Sequence, residues 1–194
     1  MLSFNDDIKN CLKILKKGGL ILYPTDTIWG IGCDATNKAS VEKIFLLKKR
    51  HEEKAMIILV AGQKDIFNYV NNITNSYQEK ILNFLSSVKK PTTVVYNNAK
   101  NIAENLIGSQ GTAAIRIVKD PFCNALITQF KKPIVSTSAN ISGEPSPVNF
   151  IDIDAAIKNG VDYIVQHRQS DTMSSQPSSI IKLNKDGEIE ILRN

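Results

Sequence analysis

Apolar residues along the chain alternate between two kinds of spacing, one typical of amphipathic helices and one typical of buried strands. Helical spacing predicts helices at 4–15, 39–49, 64–70, 76–87 and from Asp120-Pro121 onward. Short apolar and β-branched runs predict strands at 20–23, 56–60, 92–96, 113–118, 134–137, 163–165, 179–183 and 189–192. Helices and strands are therefore intermixed from one end of the chain to the other.

This order of elements predicts a single α/β domain over 1–194, built on one twisted, mixed sheet with flanking helices. The chain is long enough for one well-filled domain and short for two. A turn at Lys185-Asp186-Gly187 is predicted to join the last two strands into a hairpin. Residues 168–178 are polar and rich in turn formers, which indicates a flexible loop over a site.

Composition narrows the class of protein and its partners. A hydrophobic content of 42% with 22% charged residues is ordinary for a soluble globular protein and excludes a disordered chain. Lys and Arg number 24 against 19 Asp and Glu, which favours anionic partners such as nucleotides or RNA.

The cysteines and the N-terminus bear on location. Cys11, Cys33 and Cys123 are far apart and lack CxxC spacing, so we expect free thiols instead of disulfides or a zinc site. The N-terminus carries two acids where a signal peptide has basic residues, and no apolar run has the length of a membrane span. We therefore expect a cytoplasmic protein with no membrane partner.

Polar side chains follow the apolar run at 134–135, in the segment PIVSTSANISG. Ser136, Thr137, Ser138 and Asn140 put hydroxyls and an amide where a strand leaves the core. One reading is a site for an anionic or zwitterionic small molecule, because each buried ligand oxygen needs a hydrogen-bond partner. The other reading is a serine-rich turn.

Cations form the second candidate group. Lys48-Lys49-Arg50 closes a predicted helix, where it either stabilises the helix end or clamps a phosphate, and Lys54 lies just beyond. We expect Lys48 and Arg50 near the surface. Arg116 lies inside an otherwise apolar strand, so it either pairs with a structural carboxylate or faces an anionic ligand.

Common catalytic signatures are missing from the sequence. It has no Walker-type loop, no GxGxxG and no GxSxG, and its two histidines have no spacing that indicates a metal site or a nucleophile pair. No metal-binding side chains are identified. If the protein is an enzyme, these residues predict catalysis by positioning and electrostatics and not by a covalent nucleophile.

Four segments carry a resemblance to a known family: YPTDTIWGIGCDA, KKR with Lys54 four residues on, AIRI, and KPIVSTSANISGEPSP. In order and spacing they resemble the YrdC-like threonylcarbamoyl-AMP synthases over about residues 8–193. The resemblance implies the YrdC-like (DHBP synthase-like) architecture of the short, single-domain type. Lys89-Lys90-Pro91 departs from the Pro-Gly-Pro common in the family and puts the local loop shape in doubt.

The resemblance also implies a reaction. The family condenses L-threonine, bicarbonate and ATP, with Mg²⁺, into threonylcarbamoyl-AMP and pyrophosphate, the first step of the tRNA modification at adenosine 37. Partner transferase proteins then act on tRNA, and some members bind double-stranded RNA. Two alternatives stay open, an RNA-binding protein without synthase activity and a YciO-type paralogue. The intact Ser138-Ala139-Asn140 favours the synthase.

By position, the resemblance assigns roles to individual residues. Lys48 and Arg50 would be catalytic. The residues implied in ATP binding are Arg50, Lys54, Ser138, Asn140 and Arg193. Those implied in threonine binding are Thr25, Arg116, Ser136 and Ser179, with Thr93 as a further ligand contact.

Overall fold

The computed structural model describes residues 4–50, 56–71, 74–171, 177–183 and 189–193. The helices are α1 (Phe4–Lys16), α2 (Lys38–Lys48), α3 (Asn75–Ser87), α4 (Pro121–Phe130) and α5 (Ala155–Asn159), with 3₁₀ turns at Gln63–Asn68 and Glu104–Leu106. The strands are β1 (Ile21–Tyr23), β2 (Gly30–Gly32), β3 (Ile57–Val60), β4 (Thr92–Tyr96), β5 (Ala113–Ile117), β6 (Ile134–Ser138), β7 (Tyr163–Ile164), β8 (Ser179–Leu183) and β9 (Ile189–Arg193). Within these ranges no helix has both the length and the apolar content that a membrane crossing needs.

The strands form one mixed sheet in the order β7-β1-β2-β6-β3-β5-β4-β8-β9. The pairs β1–β7, β3–β5 and β4–β8 are parallel, and the other neighbours are antiparallel. This confirms the α/β class and the mixed sheet predicted from the sequence. The antiparallel pairing of β8 with β9 is the one that a hairpin requires, although the predicted turn at 185–187 lies outside the described residues.

The pleat of the central strands separates the core from the site. Ile58 of β3 lies opposite Ile115 of β5 and Val135 of β6, and all three are buried in the apolar cluster that also takes in α1 and α4. Their neighbours face the other way: Arg116 lies opposite Thr93, and Ile57 opposite Ser136. Because side chains alternate along a strand, this second face collects the polar groups of several strands.

Three short elements differ from the sequence prediction. Strand β2 was not predicted, because two of its three residues are glycines. A Cβ on Gly32 would lie 2.6 Å from Cε1 of Tyr23 and 2.8 Å from the carbonyl oxygen of Val135, so only glycine fits there. Helix α5, capped by Asp154, has five residues and was also missed. The helix predicted at 64–70 is the 3₁₀ turn Gln63–Asn68.

Candidate functional site

The polar face of the sheet opens into a cavity of about 170 Å³. Its apolar lining includes Trp29, Met56, Ile57 and Ile180. Its polar lining consists of Thr27, Arg50, Arg116, Ser136, Thr137, Ser138, Ser146, Ser178 and Arg193. The described residues that line the cavity thus include three arginines and no carboxylate, which makes it a site for anions.

Arg116 of β5 is the most deeply buried of these arginines, with 3% of its side chain exposed. Its Nη2 lies 3.0 Å from Oδ1 of Asp26, and its Nη1 donates to Oγ1 of Thr27 at 3.3 Å. The contact with Asp26 is close but not aligned, so Nε and Nη2 have no hydrogen-bond partner among the described residues. Arg116 therefore does both things that the sequence left open: it pairs with a carboxylate and it lines a cavity suited to anions.

The turn after β1 brings Thr27, and not Thr25, to the cavity. Oγ1 of Thr25 donates to the carbonyl of Ile28 at 2.8 Å and accepts from the backbone N–H of Thr27 at 3.0 Å. These bonds turn the Thr25 side chain inward, where it is 2% exposed. The sequence pointed to Thr25 through the family motif, whereas Thr27 is the hydroxyl of the same turn that lines the cavity.

Lys48, at the end of α2, lies behind the cavity wall. Its ammonium donates to the carbonyl oxygens of Ser138 and Asn140, the latter at 2.5 Å, and lies 3.4 Å from Oδ1 of Asn140. The expectation that Lys48 lies near the surface is wrong, because it is 1% exposed. Lys48 thereby joins the two motifs around it, since Arg50 follows α2 into the cavity and Ser138 ends β6 there.

Burial perturbs the titration of these cations. Desolvation, and after it the positive charge of Arg50, lower the pKa of the Lys48 ammonium from its usual 10.5 to about 8. Burial also lowers the pKa of Arg50, and burial together with the charge of Arg116 lowers that of Arg193. A bound anion would therefore offset part of the free energy of hydration that each of these cations loses on burial.

The lowered pKa of Lys48 predicts a pH dependence of stability. Below about pH 8 Lys48 is charged in both the folded and the unfolded state, and burying this charge destabilises the folded state. Above about pH 10.5 Lys48 is neutral in both states, so this penalty is absent. We expect the free energy of unfolding to rise between these pH values by up to about 3 kcal/mol on account of Lys48. Urea unfolding of the wild type and of Lys48→Met isolates this contribution as the difference between the two curves. A difference that stays constant from pH 8 to 10.5 would contradict it.

Ser178, and not Ser179, faces the cavity beside Arg193. Nε and Nη2 of Arg193 donate to the carbonyl oxygen of Ser178 at 3.1 and 2.8 Å, and Oγ of Ser178 lies 2.9 Å from Oγ1 of Thr93. Thr93 is fully buried opposite Arg116, so it supports the site from behind. Ser179 falls on the other side of β8, because Ser178 and Ile180 line the cavity and side chains alternate.

Of two further predicted ATP-binding residues, Asn140 does not line the cavity and Lys54 cannot be placed. The side-chain nitrogen of Asn140 donates to the carbonyls of Ile141 and Glu144 at 3.0 and 2.6 Å, which closes the turn after Ser138. Lys54 lies outside the described residues. Of the predicted site residues, the cavity brings together Arg50, Arg116, Ser136, Ser138 and Arg193.

Comparisons with known proteins identify the family of the chain. The Sua5/YciO/YrdC family model, described as telomere recombination, matches residues 13–194. The threonylcarbamoyl-AMP synthase of Hydrogenovibrio crunogenus is 36% identical over 71% of this chain and 74% of its own length. The threonylcarbamoyl-AMP synthase of Pseudoalteromonas translucida is 31% identical over 92% of this chain and 94% of its own.

A solved structure gives the same answer for the fold. The P. abyssi Sua5 structure complexed with L-threonine matches with a TM-score of 0.84 at 23% identity, over 100% of this chain and 55% of that chain. At this identity the match shows a shared fold, and this chain spans about half of that longer protein. With the family model covering nearly all of its length, the chain belongs to the Sua5/YciO/YrdC family.

Proposed function

We propose that this protein is an L-threonylcarbamoyladenylate synthase, which forms threonylcarbamoyl-AMP and pyrophosphate from L-threonine, bicarbonate and ATP. The observation that carries the proposal is the place of Arg116, a buried guanidinium in the wall of a cavity whose described lining holds no carboxylate. Its Nη1 donates to Oγ1 of Thr27, which lines the same cavity. A guanidinium in this position can bind a carboxylate through charge-assisted hydrogen bonds. The synthase relatives support the same reading.

The remaining groups of the cavity suit the other parts of the substrates. We assign the carboxylate of threonine to Arg116, and its hydroxyl to the neighbourhood of Thr27 and Ser136. The phosphates of ATP are assigned to Arg50, Arg193 and Ser138. In this scheme Lys48 and Asn140 shape the turn that presents Ser138, and Thr93 supports Ser178 from behind. Lys54 and Ser179 keep the roles that the family resemblance implies only as proposals.

The chemistry needs no covalent intermediate with the protein. The amine of threonine and bicarbonate form a carbamate and water, and a carbamate oxygen then bonds to the α-phosphorus as the bond to the pyrophosphate oxygen breaks. Both reactants are anions, so the arginines lower the barrier by neutralising charge and by fixing the two groups in line. Mg²⁺ would arrive with the phosphates of ATP and would help to neutralise their charge.

The proposal extends to partners and location. The product would pass to threonylcarbamoyl transferase proteins that modify tRNA, and the net charge of +5 is compatible with contact to tRNA or double-stranded RNA. We propose that residues 1–194 act as one YrdC-like domain. We also propose a cytoplasmic location, supported by three buried, unpaired cysteines that a reducing compartment would preserve.

Pyrophosphate release from ATP by the purified protein tests the proposal. Four mixtures are compared: ATP alone, with threonine, with bicarbonate, and with both. We expect release only when both are present. Pyrophosphate release that does not depend on threonine and bicarbonate would overturn the synthase assignment. Binding of ATP without release of pyrophosphate would favour the YciO-type paralogue. A protein that binds RNA but does not bind ATP would favour the RNA-binding alternative.

Arg50 provides a variant that separates the two substrates. Arg50→Ala is expected to raise KM for ATP by about tenfold or more, because a charge-assisted contact to phosphate is lost, while KM for threonine changes little. Steady-state kinetics with each substrate varied in turn measures this. Lys64→Ala, at an exposed lysine outside the cavity, is the matched control for loss of one positive charge. An unchanged KM for ATP in Arg50→Ala would remove Arg50 from the phosphate site.

A further inference from the structure

Asp26 lies on the far side of Arg116 from the cavity. Its side chain is 10% exposed, and its Oδ1 is 3.0 Å from Nη2 of Arg116. Asp26 lines a separate hollow with Phe4, Phe122 and His167 and does not line the cavity that holds Arg116. The carboxylate therefore neutralises the arginine from behind without occupying the space where a ligand would bind.

Asp26 balances the charge of Arg116 without forming an aligned hydrogen bond to it. A guanidinium that is 3% exposed needs a counter-ion, because an uncompensated buried charge is strongly unfavourable. Asp26 supplies the charge, yet Nε and Nη2 of Arg116 and Oδ1 of Asp26 form no aligned hydrogen bond with described residues. Arg116 thus borders the cavity while its own charge is already balanced by a carboxylate that lies outside the cavity.

Arg193 provides the contrast within the same cavity. Its guanidinium donates to the carbonyl of Ser178, which carries no net charge, and none of the described residues that line the cavity is a carboxylate. A balanced arginine attracts anions mainly through directed hydrogen bonds, whereas an unbalanced one attracts them in proportion to their charge. The two ends of the cavity therefore differ in which anions they prefer.

We infer that Asp26 is a specificity-determining residue, which makes the Arg116 end of the cavity selective for a singly charged carboxylate over the phosphates of ATP and pyrophosphate. This inference rests on the proposed function, because it takes threonine and ATP as the two anions to be told apart. Without Asp26, the full charge of Arg116 would draw a polyphosphate into the place of the amino acid.

Calorimetric titration of threonine, with and without saturating pyrophosphate, tests this directly. In the wild type we expect the Kd for threonine to be nearly independent of pyrophosphate. In Asp26→Asn we expect pyrophosphate to compete, raising the apparent Kd by at least about tenfold, because an unbalanced buried charge now favours the more highly charged anion. Glu104→Gln, which removes an exposed carboxylate paired with Lys38, is the control and should behave as the wild type does.

Two further variants keep the test decisive. Asp26→Glu retains the negative charge but moves the carboxylate by one methylene group. Pyrophosphate should still not compete with threonine in this variant, even if the variant binds threonine less tightly. Asp26→Ser admits water and replaces Asp26→Asn if circular dichroism shows that the asparagine variant is unfolded. Competition by pyrophosphate in the wild type, or no competition in a folded charge-removing variant, would overturn the inference. A wild type that binds no threonine would instead overturn the proposed function.

Discussion

Replacing Arg116 with alanine is expected to abolish threonine-dependent pyrophosphate release, with kcat/KM for threonine lower by at least about a hundredfold. Arg116 is the most deeply buried arginine that lines the described cavity, and its guanidinium can hold a carboxylate through charge-assisted hydrogen bonds. Without it the carbamate would not be fixed in line with the α-phosphorus. Steady-state kinetics should show the loss with threonine varied, while ATP still binds in a direct titration.

The control for Arg116→Ala must separate lost binding from lost stability. Alanine at 116 leaves Asp26 without its counter-ion, which by itself destabilises the fold by about 3–5 kcal/mol. The double variant Arg116→Met, Asp26→Asn removes both charges and should recover most of the unfolding free energy without recovering turnover. Arg116→Lys keeps the charge without the guanidinium and should retain only a small part of the activity. A double variant with wild-type kcat/KM would show that Arg116 does not bind substrate.

Replacing Lys48 with methionine is expected to lower both stability and turnover. Methionine fills the space but leaves the carbonyls of Ser138 and Asn140 without their donor. Two unpaired buried carbonyls cost about 2–6 kcal/mol, and relief of the buried charge offsets up to about 3 kcal/mol of this, so we expect a net loss of about 1–2 kcal/mol near neutral pH. Because the freed turn carries Ser138, kcat should fall by about tenfold or more. Urea unfolding and turnover are measured on the same preparation.

Lys43 offers a matched control on the same helix. Its ammonium also donates to a backbone carbonyl, that of Gly18, at 2.8 Å, but it does not line the cavity. Lys43→Met should destabilise by less than about 1 kcal/mol and leave kcat unchanged. If Lys48→Met keeps full stability and full turnover, the hydrogen bonds from Lys48 to the turn after β6 contribute neither to stability nor to turnover. If it keeps stability and loses only ATP binding, Lys48 contacts phosphate after all.

The sequence predicted the α/β class and most strands because buried strands leave long, β-branched runs. Strand β2 was not predicted because its glycines are explained by close packing between β1 and β6, which is visible only in the assembled sheet. Among site residues, Arg116 was detectable as a charge within an apolar strand. Its pairing with Asp26 and its position in the cavity wall required the three-dimensional structure.

Three physical reasons explain why some predicted site residues do not line the described cavity. Ser178 and Ser179 are adjacent hydroxyls, and a shift of one residue along a strand moves a side chain to the opposite face. Thr25 and Thr27 belong to one turn, whose internal hydrogen bonds decide which hydroxyl faces the cavity. Lys48 has a flexible side chain whose direction no spacing rule fixes, so its burial against two carbonyls could not be foreseen.

If one cavity joins threonine, bicarbonate and ATP, the carbon of bicarbonate must end in the adenylate product. The purified protein would be incubated with ¹⁴C-bicarbonate, threonine and ATP, and the products separated at once. We expect the label in a compound that also contains threonine and AMP, formed in equal amount to pyrophosphate. Pyrophosphate formed with no label in any adenylate would contradict it.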